Sequence, residues 1–419
     1  METSKTNDFS AEQIPDSGNE AIPKTAEVKP ENPEVLVADR GTRQQASEDR
    51  LSDLEAELGI SDLEYGSTAI TALSELEKIM AERYGNDFFH NPEHVREFEE
   101  SAVDILNTIS SIDPSLIDEN DELTVRTIAR GHDLVVNYLI SCDPKSFQFG
   151  QRMRIRGWGI GDVPPNLQEA VSEDFQGNEK ESAEETKEIL QKIDPDWKVF
   201  TKEMYPKIDA GIAATYPVAG MAPINPEYLT IKDEAGQDLD LRPYLVKNKE
   251  GKEEGLKFDQ KYLTAESPIS TLASGLADLS YVGKVSPEGF KSAGNAEYKE
   301  LRERLRFEHE RGAAVMTPDQ KAKIAKDMLG WIESQLGFAI HQKVRFDEVV
   351  NSNQVINGSP KAEEIKNALK KMYSNFDINI LAAKERIIEA RETFSKLKDT
   401  GIYPQADDLF NELLVEMGY

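Results

Sequence analysis

The sequence predicts an all-α, mostly helical bundle with a small β-prone insertion around 216–262. Apolar residues recur three and four positions apart over most of the chain from residue 50, the spacing of amphipathic helices. Within the insertion, short stretches such as YLTIKD and PYLVKN are separated by polar turns such as NKEGKEEG. We predict a disordered acidic tail at 1–49, a helical domain at 50–350 that contains the insertion, and a C-terminal helical extension at 351–419.

The tail consists of Pro, Glu, Ser, Thr and Lys with few apolar residues, too few to offset the entropy of ordering it. Its start, METSKTNDFSAEQIPDSGNE, lacks the basic and apolar segments of a signal peptide. The sequence has no run of about 18 apolar residues that could span a bilayer. Cys142 is the only cysteine and cannot form an internal disulfide. We therefore expect a cytoplasmic protein.

The charge balance limits the classes of partner. A formal net charge of -29, with 30% charged residues, argues against nucleic acid or an anionic membrane, since both require a local excess of Lys and Arg. A small basic pocket for a phosphorylated small molecule remains compatible with this charge. The sequence has no phosphate-binding GxxxxGK loop and no serine nucleophile elbow. The oligomeric state is left open.

The first predicted helix lies in TAITALSELEKIMAERY, where Ile70, Leu73, Leu76 and Ile79 share a face. A second helix begins within FFHNPEHVREFEE, with Asn91 as N-cap and Pro92 in the first helical position. His94 falls in its first turn and His90 just before it. An ordinary capping role is the alternative reading of these histidines.

The next segment, ELTVRTIARGHDLVVNYLI, is apolar on nearly all sides, which predicts one buried helix running through Leu139 and Ile140. A buried His132 or Asp133 must be hydrogen-bonded, neutralised or bound to a metal. QRMRIRGWGIGDVPPN then predicts a loop, and GNEKESAEETKEILQKI another amphipathic helix.

Beyond the insertion, SPISTLASGLADLSYVG predicts a helix with Ser267 and Pro268 at its start and Asp278 in its last turn. The remainder predicts charged amphipathic helices, with His309 and His341 on their solvated faces. Together, His94, His132, Asp133 and Asp278 form a nitrogen and oxygen ligand set suited to a divalent ion. Each residue also has a structural explanation when it is taken alone.

This order of a His, a His-Asp pair and a later Asp resembles the HD superfamily of metal-dependent phosphohydrolases. FFHNPEHV is similar to a segment of cyclic-nucleotide phosphodiesterases, and ADLSYVG to the Ala-Asp-Leu-Ser segment of HD proteins. GNEKESAEE and GWIESQLGFAIHQKVRF also look like HD-domain segments. The resemblance covers roughly residues 84–350 without the insertion, and it implies that the domain at 50–350 is of the HD type.

The resemblance implies that His94, His132, Asp133 and Asp278 hold one divalent ion. Mn, Mg, Fe, Ni, Co and Zn are not distinguished, and Asp133 could bridge to a second ion. Asp278 would also orient the attacking water, and His90 would protonate the leaving oxygen. Asn178 stands where many relatives have a further His, which argues against a second ion held by its own histidines.

A substrate phosphate needs positive charge. Arg152, Arg154 and Arg156 alternate beside GWGIG, so they could share one side of an extended segment, although they could equally solvate a loop. Glu179 could hydrogen-bond the water or a ligand His. Lys180 and Lys284 are weaker candidates.

The predicted function is hydrolysis of a phosphomonoester or phosphodiester, for example of a nucleotide, by metal-activated water. One alternative is a catalytically silent HD module that binds a nucleotide or a protein in a regulatory role, with the insertion covering the site or recruiting the partner. The other is a helical scaffold with coincidental His and Asp residues.

Overall fold

The computed structural model describes residues 63–84, 89–135, 139–141, 152–153, 167–169, 178–233, 235–309 and 318–400. Most of these residues are helical, which confirms the mostly helical class. The helices are α1 (Leu63–Tyr84), α2 (Pro92–Ile112), α3 (Asp121–Gly131), α4 (Asn178–Ile193), α5 (Met204–Thr215), α6 (Ile269–Leu279), α7 (Pro287–His309), α8 (Pro318–Ser352), α9 (Gln354–Gly358), α10 (Ala362–Met372) and α11 (Phe376–Thr400). The predicted tail at 1–49 and the last part of the predicted extension, 401–419, lie outside the described residues.

The predicted β-prone insertion is confirmed as a group of short antiparallel strands between α5 and α6. They are β4 (Val218–Pro223), β5 (Thr230–Lys232), β6 (Asp238–Asp240), β7 (Val246–Lys247) and β8 (Glu253–Asp259). They form one sheet in the order β4-β8-β7 and a separate β5-β6 pair. In the turn that joins β7 to β8, Gly251 has a φ of 80°, and Asn248 Oδ1 accepts hydrogen bonds from the amides of Glu250 and Lys252.

The prediction of one long helix through Ile140 is wrong. Helix α3 ends at Gly131, and Leu139–Ser141 is strand β1 of another small antiparallel sheet, with Arg152–Met153 (β2) and Leu167–Glu169 (β3). Part of the segment predicted as a loop is therefore strand. After Gly131, the backbone of Val135 bonds to the Ser182 hydroxyl: its amide donates at 3.0 Å and its carbonyl accepts at 3.2 Å. The β-branched valines at this point favour extended backbone over helix. The hydrogen bonds of Val135 to Ser182 of α4 stabilise the non-helical path, so the helix does not continue.

Helix α3 lies at the centre of the helical core and packs against α1, α2, α4, α5 and α6. Two glycines lie at these helix contacts: Gly131 of α3 faces α4, and Gly211 of α5 faces α3. A Cβ on Gly211 would lie 2.1 Å from Cδ1 of Ile128, and one on Gly131 would lie 2.4 Å from Oγ1 of Thr186. These glycines allow α5 and α4 to pack directly on α3, which holds the end of α3 in a fixed position.

The insertion is attached to the helical core through α8. A Cβ on Gly337 would lie 2.3 Å from the Cα of Gly255, so α8 and β8 touch backbone to backbone. His341, on the same helix, is buried, and its Nε2 lies 3.2 Å from the carbonyl oxygen of Ala222 in β4. The prediction of a solvated face is therefore wrong for His341, because the insertion covers this face of α8. The side chain of His309 lies outside the described part of the chain.

None of the helices in the described ranges combines the length and the apolar composition needed to cross a membrane.

A buried ion-pair network joins α2 to α3. Glu99 accepts from Nη1 of Arg126 at 2.7 Å and from Nε of Arg130 at 2.6 Å. Arg130, with 2% of its surface exposed, also reaches Glu77 of α1 at 3.3 Å. Burial acts to raise the pKa of Glu99, but the attraction of Arg130 and then Arg126 outweighs it and holds this pKa below its ordinary value.

We expect Glu99→Gln to destabilise the protein by about 3 kcal/mol, because it leaves two buried guanidinium groups without their shared carboxylate. Glu122→Gln is the matched control: Glu122 also pairs with Arg126 at 2.9 Å, but its side chain is 40% exposed, so its loss should cost less than about 1 kcal/mol. Urea denaturation measures both changes.

The pH dependence of this difference follows from the lowered pKa of Glu99. The stabilisation is fully present above the ordinary carboxyl value of 4.5 and is lost as the pH falls below it. The difference between wild type and Glu99→Gln should therefore shrink between neutral pH and pH values below 4.5. An unchanged difference would show that Glu99 acts through shape and not through its charge.

Candidate metal centre

His94 lies at the beginning of α2, as predicted. Asn91 is the N-cap: its Oδ1 accepts hydrogen bonds from the amides of Glu93 at 2.8 Å and of His94 at 3.1 Å. Pro92 occupies the first turn without loss of a hydrogen bond. The capping interaction thus fixes the backbone that carries His94.

His132 directly follows the last residue of α3 and is almost fully buried. Its Nδ1 lies 2.8 Å from the carbonyl oxygen of Ala129. Because a carbonyl oxygen only accepts, Nδ1 carries the hydrogen, and Nε2 keeps its lone pair in the neutral ring. The Phe98 ring stacks on the imidazole at 4.6 Å between centroids. These contacts orient Nε2, which is buried and faces Oδ2 of Asp133 at 2.9 Å.

Side chains from three helix ends meet around this nitrogen. His94, His132 and Asp278 each contribute one ligand atom, and the three atoms lie within 4.8 Å of one another. Oδ2 of Asp133 is 2.9 Å from Nε2 of His132 and 3.8 Å from Nε2 of His94. Asp278 lies in the last turn of α6, as predicted.

The spacing of these atoms fits the ligand shell of one ion. Ligands bound at about 2.1 Å lie about 3 Å apart when adjacent and about 4.2 Å apart when opposite. The 2.9 Å contact of His132 with Asp133 matches adjacent ligands, and the atoms of His94, His132 and Asp278 lie within 4.8 Å of one another. His94, His132 and Asp278, with Asp133 beside them, could therefore hold a divalent cation, and neutral imidazoles and carboxylates suit several such metals.

The ligand atoms face a cavity of about 260 Å³. It is lined by Phe89, His90, His94, His132, Asp133, Glu179, Thr215, Pro217, Phe258, Asp278, Leu279, Tyr281, Glu297 and Phe338. Among these described lining residues there are four carboxylates and no lysine or arginine. The lining is therefore strongly acidic.

Burial first, and then the neighbouring charges, shift the pKa values of the groups in this cavity. Burial, with a further contribution from Asp133, raises the pKa of Asp278 to about 7, against the attraction of His132. Burial, assisted by Asp133 and Asp278, raises the pKa of Glu179 to about 8. Burial acts to lower the pKa of His132, but the charge of Asp133 outweighs it and raises this pKa to about 9. A bound cation would compensate this excess of negative charge.

Of the other predicted site residues, His90 and Glu179 line the cavity, whereas Lys180 and Lys284 do not. His90 lines the cavity, with its ring 6.2 Å from the ring of His94. Glu179, at the start of α4, is buried in the cavity wall, and its Oε2 has no hydrogen-bond partner among the described residues. Lys180 is exposed and is not among the lining residues. Lys284 pairs with Asp104 at 2.7 Å.

The predicted phosphate-binding arginines cannot be placed against the cavity. The backbone of Arg152 lies in β2, and its side chain lies outside the part of the chain that the structure describes. Arg154 and Arg156 lie outside the described residues, as does the side chain of Asn178.

The sequence did not single out several residues of the cavity wall. Glu297 comes from α7, whose polar sequence does not distinguish an acidic residue that faces a cavity from one that faces solvent. Phe258 comes from β8 of the insertion and contacts Phe338 of α8, with ring centroids 5.3 Å apart. Neither residue has a local signal that separates it from its neighbours, because both reach the cavity through the packing of distant segments.

Comparisons of the chain with protein-family models, with curated proteins and with solved structures find no match.

Proposed function

We propose that this protein is a metal-dependent phosphohydrolase of the HD type, which cleaves a phosphomonoester or phosphodiester. The observation that carries the proposal is the meeting of His94, His132 and Asp278, with Asp133 2.9 Å from His132, at one point of an acidic cavity. These residues come from segments up to about 180 positions apart, and they are the residues that carry the resemblance to HD proteins.

When bound, a divalent ion supplies Lewis acidity toward a phosphoryl oxygen and makes water a better nucleophile at neutral pH. The four ligand residues hold it. Asp278, which lines the cavity, would accept a hydrogen bond and then a proton from the attacking water.

His90 is suited to the leaving-group side of the reaction. It lies before α2, half-buried in the cavity wall, and its ring contacts that of Phe89 at 5.1 Å. In the proposed reaction the water oxygen bonds to phosphorus and the bond to the ester oxygen breaks. His90 gives its proton to the departing oxygen, and the proton of the water passes to Asp278. The products are the free alcohol and a phosphate.

A regulatory module that binds a ligand without turnover is the second candidate. It is favoured by the described lining, which contains no lysine or arginine to meet a substrate phosphate. In the leading proposal the bound ion itself meets the phosphate charge, and the carboxylate of Glu297 in the wall would repel substrates with several phosphates.

Metal analysis followed by a substrate screen tests the proposal. Protein purified without chelator should contain about one equivalent of a divalent transition metal by elemental analysis, or bind added Mn²⁺. It should then hydrolyse at least one ester in a panel of p-nitrophenyl, nucleotide and small alkyl phosphoesters. Metal without turnover of any ester would favour the regulatory module, and failure to bind any divalent metal would refute the phosphohydrolase proposal and leave a regulatory module or a helical scaffold.

A further inference from the structure

A second cavity adjoins the candidate metal centre. Its volume is about 360 Å³, and it shares Phe89, His94, Asp278 and Tyr281 with the first cavity. It extends along α2 away from His94, between this helix and the segment that follows α6. A substrate whose phosphate lies at the ligand residues would therefore have room for its alcohol part in the second cavity.

The rim of this second cavity is acidic. Glu97, Glu100 and Asp104 of α2 line it and are exposed at its edge. Lys284 is the only lysine or arginine among the described lining residues, and it already pairs with Asp104 at 2.7 Å. Glu97 and Glu100 therefore leave a net negative charge that the described walls do not balance.

Further groups suit a cation with attached hydrogen-bonding groups. Burial and the neighbouring Glu93 and Glu100 raise the pKa of Glu97 and outweigh the attraction of Arg96. The aromatic ring of Phe89 stands at the junction of the two cavities, where its face could contact an ammonium group. The buried hydroxyl of Ser101 also lines the cavity, beside the Tyr373 hydroxyl, which donates to the carbonyl of Leu276 at 3.2 Å.

We propose that the second cavity receives the alcohol part of the substrate and selects an alcohol that carries an ammonium group. The substrate class is thus a phosphate ester of an amino alcohol, and this inference rests on the proposed phosphohydrolase function. Glu97 lies three residues after His94, about 4.5 Å further along the helix axis. An ammonium group two carbons from the ester oxygen can therefore approach Glu97 while the phosphate lies at the ligand residues. Hydrolysis releases the protonated amino alcohol and phosphate.

Binding of two non-hydrolysable probes tests the inference without the need for turnover. Titration calorimetry compares 2-aminoethylphosphonate with ethylphosphonate on the full-length protein loaded with Mn²⁺. We expect about fivefold tighter binding of the amine, the size expected for attraction by partly exposed carboxylates and an aromatic ring. The double variant Glu97→Gln/Glu100→Gln should reduce this preference to less than about twofold without weakening the binding of ethylphosphonate. Glu364→Gln serves as the control: it eliminates one exposed negative charge on α10 and should leave the preference intact.

The outcomes separate the two proposals. Metal-dependent binding of both phosphonates with equal affinity overturns the amino-alcohol inference and leaves the phosphohydrolase proposal standing. A preference that survives in the double variant also overturns it, because the charge would then come from elsewhere. If neither phosphonate binds the metal-loaded protein, the phosphate site itself is refuted, and the substrate inference falls with it.

Discussion

The substitution His132→Ala should remove the bound divalent ion and the phosphoesterase activity together. His132 is 2% exposed, its Nδ1 is fixed by the carbonyl of Ala129, and its Nε2 lies 2.9 Å from Oδ2 of Asp133. Loss of a residue that only orients a ligand costs about 10- to 100-fold in metal affinity, and loss of the ligand itself should cost at least about 100-fold.

Two measurements check this expectation. Elemental analysis gives the metal content of the purified variant, and thermal unfolding with and without Mn²⁺ gives a readout that needs no substrate. A ligand at 100 times its dissociation constant stabilises the folded state by about 2.7 kcal/mol, so Mn²⁺ should raise the melting temperature of the wild type and not that of the variant.

His341→Gln is the matched control for His132→Ala. His341 is also a buried histidine, but its Nε2 faces the carbonyl of Ala222 in the insertion and it does not line the candidate metal cavity. This variant should keep the metal, even if it is somewhat less stable. Full metal content in His132→Ala would remove His132 from the ligand set and with it the central observation behind the proposed function.

The local signals of the sequence predicted the positions of the candidate ligands along the chain. The Asn91-Pro92 pair defines the start of α2, so His94 could be placed in its first turn, and the apolar spacing of α6 placed Asp278 in its last turn. These features depend on contacts within one helix, which the sequence displays directly. That the four residues bind metal stays a prediction.

Contacts between distant segments were not readable in the same way. The apolar run after His132 predicted a continued helix, yet Ser182 of α4 takes the hydrogen bonds of Val135 and the chain turns away. His341 looked solvated because its own helix is charged, and the sequence cannot reveal that β4 covers it. The acidic rim of the second cavity was missed for the same reason. Glu97 and Glu100 look like ordinary surface charges until the segment after α6 packs beside them.

The end of α3 brings the His-Asp pair to the cavity. His132 keeps helical backbone angles, with a φ of -64° and a ψ of -34°. Asp133 Oδ2 lies 2.9 Å from Nε2 of His132, and both residues line one cavity. The ion pairs of Glu99 with Arg126 and Arg130 then hold this helix end against α2, which carries His94. The network that stabilises the fold therefore also sets the spacing of the candidate ligands.

The substitution His90→Ala should separate leaving-group protonation from metal binding. His90 lies in the cavity wall, outside the group of three residues whose ligand atoms converge. The variant should therefore keep the full metal content of the wild type. Loss of general acid catalysis lowers turnover by about 10²- to 10⁴-fold when the departing oxygen is a strong base. Hydrolysis of an alkyl phosphoester should fall by such a factor.

The choice of leaving group makes this prediction specific. p-Nitrophenolate departs without a proton, so the His90→Ala variant should hydrolyse a p-nitrophenyl ester at a rate within about tenfold of the wild type. Steady-state turnover of one alkyl and one p-nitrophenyl ester, with metal content measured on the same preparation, provides the comparison. Equal losses on both esters would assign His90 to substrate positioning, and loss of metal would make it a ligand. A large loss on the alkyl ester alone would show that His90 donates a proton to the leaving group. It would also place the leaving group on the side of the cavity where Phe89 borders the acidic second cavity.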